Sequence, residues 1–512
     1  MKHIIQARHF ILVMFILVAL NLNAKNEIDS LRAEATRWQA PWQLYSNYFD
    51  YNPAATFAVP VKHFCILDAS YTASHADAGM HRVQDGNGTS SFLLNSESFQ
   101  VSGPLRFFGS ATYSTGVRKK VGWCDVDDYQ LLSPYLVADS VGGDYKNETY
   151  AFNGGVSYIS GCWEYGIRAG YEGGVSYRQV DPRPLNTTSV IRINPGIVYQ
   201  KGNWQLGAFG QYERYRQNVD IEIEKTDRKI YFHLLEGFGI YNKQFSALAE
   251  SFTRNYKGNI FNGGIQASYG GKNHSTGLMI QTSNAYLQAD EDDRRTPYKI
   301  EHHQIEAKLS HENKILGKSL FLSGDYLYHQ VIGNETQYQP QTINSTYTVW
   351  VFATQSDRYQ SRTHQAHFSA LLADKNVNRF SVWEQLDAIW KEEKQNYYYP
   401  YYHQEVQNLT SSASVGINSP GKLFSFTGNI TTGYRKNLKA SLGQDDNNIL
   451  TAQLLLPDYA FLTSDVLFYQ LQAGVDFPVS VSMLADITAN AGLQTSGSKK
   501  AWTAVVKAVL HF

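Results

Sequence analysis

The chain has 512 residues, in which 45 Lys and Arg stand against 46 Asp and Glu for a formal net charge of −1. That balance excludes a basic nucleic-acid footprint and an acidic disordered tail, so no nucleic-acid partner is expected. Charged residues are 18% and aromatic residues 14% of the chain; an ordinary soluble domain carries roughly 25% charge, so this composition suits a surface that does not face water alone. The 14 prolines argue against Pro-rich linkers between many domains, and 3 cysteines cannot make a full disulfide framework. Collagenous, disordered, coiled-coil and polytopic α-helical classes are excluded on the same grounds.

Residues 1–24 combine basic Lys2 and Arg8, an apolar run from Phe10 to Leu20 and a polar bend ending in Ala24. This is the three-part plan of a secretory signal peptide. The run falls well short of the ~20 residues that span a bilayer as a helix. Leu22 and Ala24 suit the −3 and −1 positions, so cleavage after Ala24 is expected, and the nearest cysteine, Cys65, is too distant for a lipid-anchored start. Residues 25–62 do not alternate. Ile28, Leu31, Ala35 and Trp38 lie at helical spacing, with Asp29 or Ser30 placed to cap. The segment is too short for the plug domain of a TonB-dependent transporter. It is expected to dock at the periplasmic mouth of the structure formed by residues 63–512 or to insert into its lumen, the alternative being a frayed tail.

From residue 63 to 512 apolar residues recur with period 2, in stretches of about 11 to 14 residues separated by Gly, Asn, Asp, Ser and Lys clusters. Trp163, Tyr165, Ile167, Ala169 and Tyr171 alternate with Glu164, Gly166, Arg168, Gly170 and Glu172. One face is apolar and the other small or charged, the lipid-out, lumen-in pattern of a transmembrane strand, which assigns Glu164, Arg168 and Glu172 to the lumen. The stretches are also longer than the 5 to 6 residues typical of soluble strands. Short turns, as at 201–203 and 271–274, alternate with longer polar connections, as at 118–147, 332–361 and 436–464. Reading 242–244 as a further short turn and 256–259 as an undersized connection gives about 20 strands, within bounds of 18 to 22. The expected fold is all-β, a transmembrane antiparallel β-barrel preceded by a short helical or irregular segment.

The last strand places Trp502, Leu510 and the terminal Phe512 on one face. It resembles the C-terminal signal by which outer-membrane barrels are handed to the barrel assembly machinery. Cys124 falls in an outer loop and Cys162 beside a periplasmic turn, too far apart for the ~7 Å that a disulfide spans. His302 with His303, and His364 with His367, stand at odd separations on strands and point to opposite faces, so neither pair converges as metal ligands. The acidic stretches 290–293 and 445–448 offer oxygen ligands of the kind Ca²⁺ takes, but EF-hand spacing is absent and they read as solvated loops. No metal or other cofactor is assigned. Tyr397, Tyr398, Tyr399, Tyr401 and Tyr402 flank Pro400 in an expected outer loop. They offer either a stacking platform for a flat ligand or an aromatic belt, and tyrosine enrichment at membrane interfaces favours the belt. No GxSxG or other local arrangement selects a nucleophile and base, so catalytic residues are not assigned and an enzyme is not expected.

The signal peptide, Trp38 and Trp42, the stretch Phe49-Asp50-Tyr51-Asn52-Pro53-Ala54 and the terminal Phe512 together resemble Bacteroidota-type outer-membrane β-barrel proteins of unassigned function. Asn52-Pro53-Ala54 is also similar to the start of barrel-like partner proteins of type IX secretion. The resemblance implies a Gram-negative outer membrane, with lipid and lipopolysaccharide around the wall. Two functions are carried forward: a porin-like or accessory transport barrel for an unidentified solute, and a non-conducting scaffold. Either could work beside a TonB-dependent receptor or surface lipoprotein. A membrane-embedded hydrolase is the third and weakest reading.

Overall fold

The computed structural model describes residues 25–512 apart from 39, 46–47, 60, 225–229, 248–250, 292–294, 316, 344–346, 445–446 and 481. The expected signal peptide and its cleavage site Ala24 lie outside the described residues. In chain order the strands are β1 (His63–Ala76), β2 (Gly88–Ser102), β3 (Leu105–Val121), β4 (Val137–Asp139), β5 (Gly143–Ser160), β6 (Trp163–Tyr177) and β7 (Arg183–Lys201). They continue with β8 (Trp204–Glu222), β9 (Ile230–Gly237), β10 (Ile240–Ala247), β11 (Phe252–Gly270), β12 (His274–Glu291), β13 (Tyr298–Ile315) and β14 (Lys318–Ile343). The last are β15 (Tyr347–Ala373), β16 (Ser381–Tyr398), β17 (Tyr401–Ser419), β18 (Ser425–Gly443), β19 (Val466–Ser480), β20 (Met483–Ser496) and β21 (Lys499–His511). Helices are α1 (Lys25–Trp38), α2 (Tyr129–Leu132) and α3 (Leu456–Leu462).

Eighteen of these strands form one antiparallel sheet. It closes on itself where β1 pairs with β21, with Ser70 opposite Lys507. Closure leaves no unpaired edge in the wall. On β6, Tyr165, Ile167 and Tyr171 point outward and are 47–49% exposed while Glu164 is 6% exposed. Their alternation follows from the two-residue period of the strand. The same outward apolar face continues around the barrel through Ile191, Ile265, Leu309, Phe368, Ile430 and Val506. Short turns gather at one end, with the C-terminus, and the longer connections at the other.

The strand number is 18, at the lower bound of the range expected from sequence. The two excess strands come from residues 230–270. Residues 242–244 lie within β10, not at a barrel turn, and 256–259 lie within the continuous strand β11. β9 and β10 pair with each other and, through β9, with β4 to form a separate three-stranded sheet. Residues 332–361, expected as a polar loop, are the ends of β14 and β15, which pair up to Ile343 opposite Tyr347. β13 pairs with β14 as far as Glu335, and β16 pairs with β15 from Tyr359. The hairpin beyond those points is a two-stranded ribbon. The Ile449–Leu456 stretch, expected in an outer loop, forms one π-helical turn and the start of α3 within the β18–β19 connection.

Candidate functional site

Both mouths of the barrel hold packed chain. At the short-turn end, Tyr45 and residues 48–56 lie against the inward face of the wall. Asn52 is fully buried, and its side-chain amide reaches the carbonyls of Ile197 and Ala208 at 3.4 Å each while its oxygen accepts from the Ala54 backbone at 2.9 Å. Gly196 stands opposite, where an added Cβ would overlap the Asn52 side chain; at Gly277 it would overlap the Tyr48 hydroxyl. The small residues on the inner face therefore make room for the segment. Tyr45 hydrogen-bonds Ser369 at 2.7 Å and packs on Phe321 with ring centroids 5.4 Å apart. α1 is fastened by Arg32, whose Nε meets Asp476 at 2.7 Å and whose Nη1 donates to the Gly421 carbonyl at 2.7 Å.

Two of the three residues assigned to the lumen meet this segment. Glu164 accepts hydrogen bonds from Thr56 and from Ser157, the latter at 2.9 Å. Arg168 donates to the carbonyls of Phe49 at 2.8 Å and Asp50 at 2.9 Å, and its guanidinium lies 4.9 Å from the Phe49 ring centroid. Glu172 lies further along the same inward face and pairs with Arg192 at 2.9 Å, which also holds Glu213 at 2.7 Å. Further around the wall His367 sits between Asp325 and Asp387, 3.2 Å from each. Gln385 links Asp387 to Ser369, and so to Tyr45 of the segment.

The other expected candidates are dispersed. His302 points inward, 3.1 Å from His329, whereas His303 bonds Asn284 on the opposite face. His364 meets Tyr326 while His367 faces the lumen carboxylates. Among the described residues no group of three or more His, Cys, Asp or Glu is arranged to hold a metal. Asp290 is taken up by Lys257 at 2.5 Å and by Thr296 at 2.6 Å; residues 292–293 and 445–446 of the two acidic stretches lie outside the described residues. Cys65, Cys124 and Cys162 are all free thiols. Burial pushes the Cys124 thiol up to about 12, which keeps it protonated and unreactive. Trp502 is exposed on the outer face. Phe512 exchanges backbone hydrogen bonds with Cys65 at the seam, at 2.9 and 3.4 Å.

At the long-loop end the sheet of β4, β9 and β10, with α2, fills the mouth. Leu132, Val137, Phe232 and Leu234 pack against inward residues of the wall, among them Tyr145, Tyr215, Tyr256, Tyr298 and Tyr397. Polar groups fix the arrangement. Arg178 bridges buried Asp125 at 3.4 Å and Asp139 at 2.5 Å. Burial, then the neighbouring Asp139, raises the Asp125 carboxyl well above its usual range. Glu236 of β9 is raised by burial as well, and it accepts from Tyr298 at 3.1 Å and Tyr397 at 3.3 Å.

The tyrosine run is a tight hairpin and not a long loop: Tyr397 pairs with Tyr402 and Tyr398 with Tyr401. Its five rings do not share a face. Tyr397 and Tyr402 are buried in the mouth, Tyr398 bonds Gln360 at 2.8 Å, and Tyr399 and Tyr401 are 71% and 62% exposed. Nothing in the residue pattern marks the inner sheet, because β9 alternates no differently from a wall strand. The signal for the segment's seat is present in the inward small residues of β6 and in Asn52-Pro53-Ala54.

Comparison with solved structures finds outer-membrane receptors at low similarity. The ferric preacinetobactin receptor of Acinetobacter baumannii aligns at TM-score 0.42 and 9% identity, over 88% of this chain and 80% of the receptor. The ferric-catecholate import receptor of E. coli K12 aligns at 0.40 and 6% identity, over 88% and 82%. The ferripyoverdine receptor of the Pseudomonas aeruginosa outer membrane aligns at 0.39 and 8%, over 88% and 72%. No curated protein matches the chain. A family model matches residues 53–511, from the Asn52-Pro53 seat through the closing strand, and the chain belongs to that family, described as a family of unknown function (DUF6850).

Proposed function

We propose that the protein is an integral barrel of the Gram-negative outer membrane, a transport-type barrel with a closed resting state. The observation that carries this is the pairing of a closed wall, apolar outside and charged inside, with chain packed into both mouths. Only a closed barrel satisfies all backbone groups of strands in lipid, and the exposed Tyr, Ile and Phe side chains suit a hydrocarbon surround. Inside, Glu172, Arg192 and Glu213 on one part of the wall and His367 with Asp325 and Asp387 on another are separate polar clusters. No residue is assigned to catalysis.

Two closures in series make a specific forecast for planar bilayers. The full chain gives no steady conductance. Removing residues 25–58 alone, or replacing the β8–β11 connection 223–251 with a short linker alone, leaves the baseline current; removing both produces defined steps. Steady current through the intact chain would overturn the closed resting state, and silence of the doubly opened barrel would overturn transport.

The non-conducting scaffold is favoured by a separate observation. The β14–β15 ribbon extends past its neighbours and carries exposed Ile343, Val349, Trp350, Val351 and Phe352. Unpaired ribbon edges with apolar side chains are a template for another chain. On this reading a surface lipoprotein, a TonB-dependent receptor or a secretion component docks there. Trimming 337–355 to a tight turn then releases a stoichiometric partner from pull-downs without changing barrel assembly. Recovery of the full-length protein alone from native membranes sinks the scaffold.

A further inference from the structure

At the long-loop mouth a cavity of about 120 Å³ lies between the inner sheet, the β1–β2 connection and α3. Its lining combines apolar Phe238, Tyr359, Leu454 and Leu462 with charged Arg82 and Asp458. These two charged side chains are unusual in their surroundings. Neighbouring carboxylates are already engaged: Glu393 is held by Lys391 at 3.2 Å, and Asp85 accepts from the Tyr129 hydroxyl at 2.6 Å. Among the described residues the Arg82 side chain makes no direct hydrogen bond or ion pair, and Glu393, Asp458 and Asp85 act on its charge only from a distance; Asp458 accepts from the Val83 backbone N–H at 2.8 Å, with Arg82 and His81 as its more distant cations. That backbone bond ties Asp458 to the residue next to Arg82, so the two charges face the same small space without closing on each other.

A partly enclosed guanidinium and carboxylate of this kind are poorly solvated, and each is stabilised by an opposite charge. One molecule satisfies both if it bears a carboxylate and an ammonium a few ångströms apart. The apolar lining asks for a compact hydrocarbon body on the same molecule. In size, an engineered apolar cavity of roughly 150 Å³ holds benzene, which matches a branched aliphatic side chain here. We propose that this cavity binds a free branched-chain α-amino acid, with Arg82 on its carboxylate, Asp458 on its ammonium and its side chain against Leu454 and Leu462. The proposal goes beyond the transport reading and does not depend on it, since occupancy is read whether or not the barrel conducts.

The test is isothermal titration of the detergent-solubilised full chain with L-leucine. Saturable one-to-one binding is expected. 4-Methylvalerate, which lacks the ammonium, isoamylamine, which lacks the carboxylate, and glycine, which lacks the side chain, each bind at least tenfold more weakly. Arg82→Gln and Asp458→Asn each weaken leucine binding at least tenfold. Leu454→Trp, which fills the cavity and keeps both charges, abolishes it. Heat-modifiable mobility on gels confirms that each variant retains its barrel, and any variant that loses it is set aside in favour of the other two. Absence of saturable leucine binding by the assembled wild-type chain overturns the proposal. Equal affinity for the three analogues, or unchanged affinity in the assembled variants, overturns it as well.

Discussion

Asn52 shows how one side chain organises a mouth of the barrel: it bridges two wall strands through the carbonyls of Ile197 and Ala208 and stabilises its own turn through the Ala54 N–H. The seat depends on the missing Cβ of Gly196. Gly196→Ala on the inner face leaves β7 free to pair but displaces Asn52, so thermolysin should cut residues 45–56 of the solubilised protein at least tenfold faster while the wall stays resistant. Unchanged cleavage would show that the seat tolerates the methyl group. Asp458 gives a pH-dependent counterpart at the other mouth. Burial raises its carboxyl to about 6, against a lowering contribution from the Val83 N–H. A folded pKa above the unfolded one means that the contribution is complete below about 3.8, the ordinary value, and declines as pH rises to about 6. Hydrogen exchange around residues 80–85, corrected for its intrinsic pH dependence, should therefore slow as pH falls from 7 to 5, and Asp458→Asn should remove that step. At this scale the sequence is informative where alternation fixes direction: Glu164, Arg168 and Glu172 stand on the inward face of β6. It is silent on what they touch, because Phe49, Asp50 and Thr56 are brought to them by tertiary folding over more than a hundred residues.

At the scale of elements, α1 illustrates a helix whose position depends on one anchor. Arg32 places its guanidinium on Asp476 and on the Gly421 carbonyl, with both charged side chains 9% exposed. Arg32→Met leaves the Asp476 carboxylate buried without its partner, a change that typically costs about 3 to 5 kcal/mol. Native-state hydrogen exchange of α1 should then approach that of an undocked helix, with β18 and β19 little altered; protection equal to wild type would mean that apolar contacts alone hold α1. β9 and β10 illustrate the limit of pattern reading. Ile230, Phe232 and Leu234 alternate with polar or aromatic neighbours just as wall residues do, and a period of 2 reports a strand without reporting which sheet it joins. The missing information is tertiary: Phe232, Leu234 and Leu235 of β9 are buried in one cluster with Leu132 of α2 and the wall tyrosines. The same ambiguity runs the other way in 332–361, where Gln, Asn and Thr suggest a loop. There the ladder of β14 and β15 supplies backbone pairing that polar side chains do not prevent.

For the whole molecule the decisive feature is closure, and it is made last in the chain. β21 inserts between β20 and β1, and Phe512 completes the ladder by exchanging backbone hydrogen bonds with Cys65. Those bonds involve only the backbone, so Phe512→Ser leaves them in place. A terminal surface substitution of this kind typically changes stability by no more than about 0.5 kcal/mol. If the terminal aromatic is read by the assembly machinery, the same substitution acts earlier, on delivery of the unfolded chain. Pulse-chase labelling with heat-modifiable mobility separates the two effects. We expect the fraction of chain reaching the compact form to fall several-fold, while the barrel that does assemble keeps its wild-type unfolding midpoint in denaturant. A lowered midpoint with normal yield would make Phe512 a part of the seam and remove its role as a signal. Normal yield with a normal midpoint would leave the final residue without either task, and the seam would then rest on the β1–β21 ladder alone.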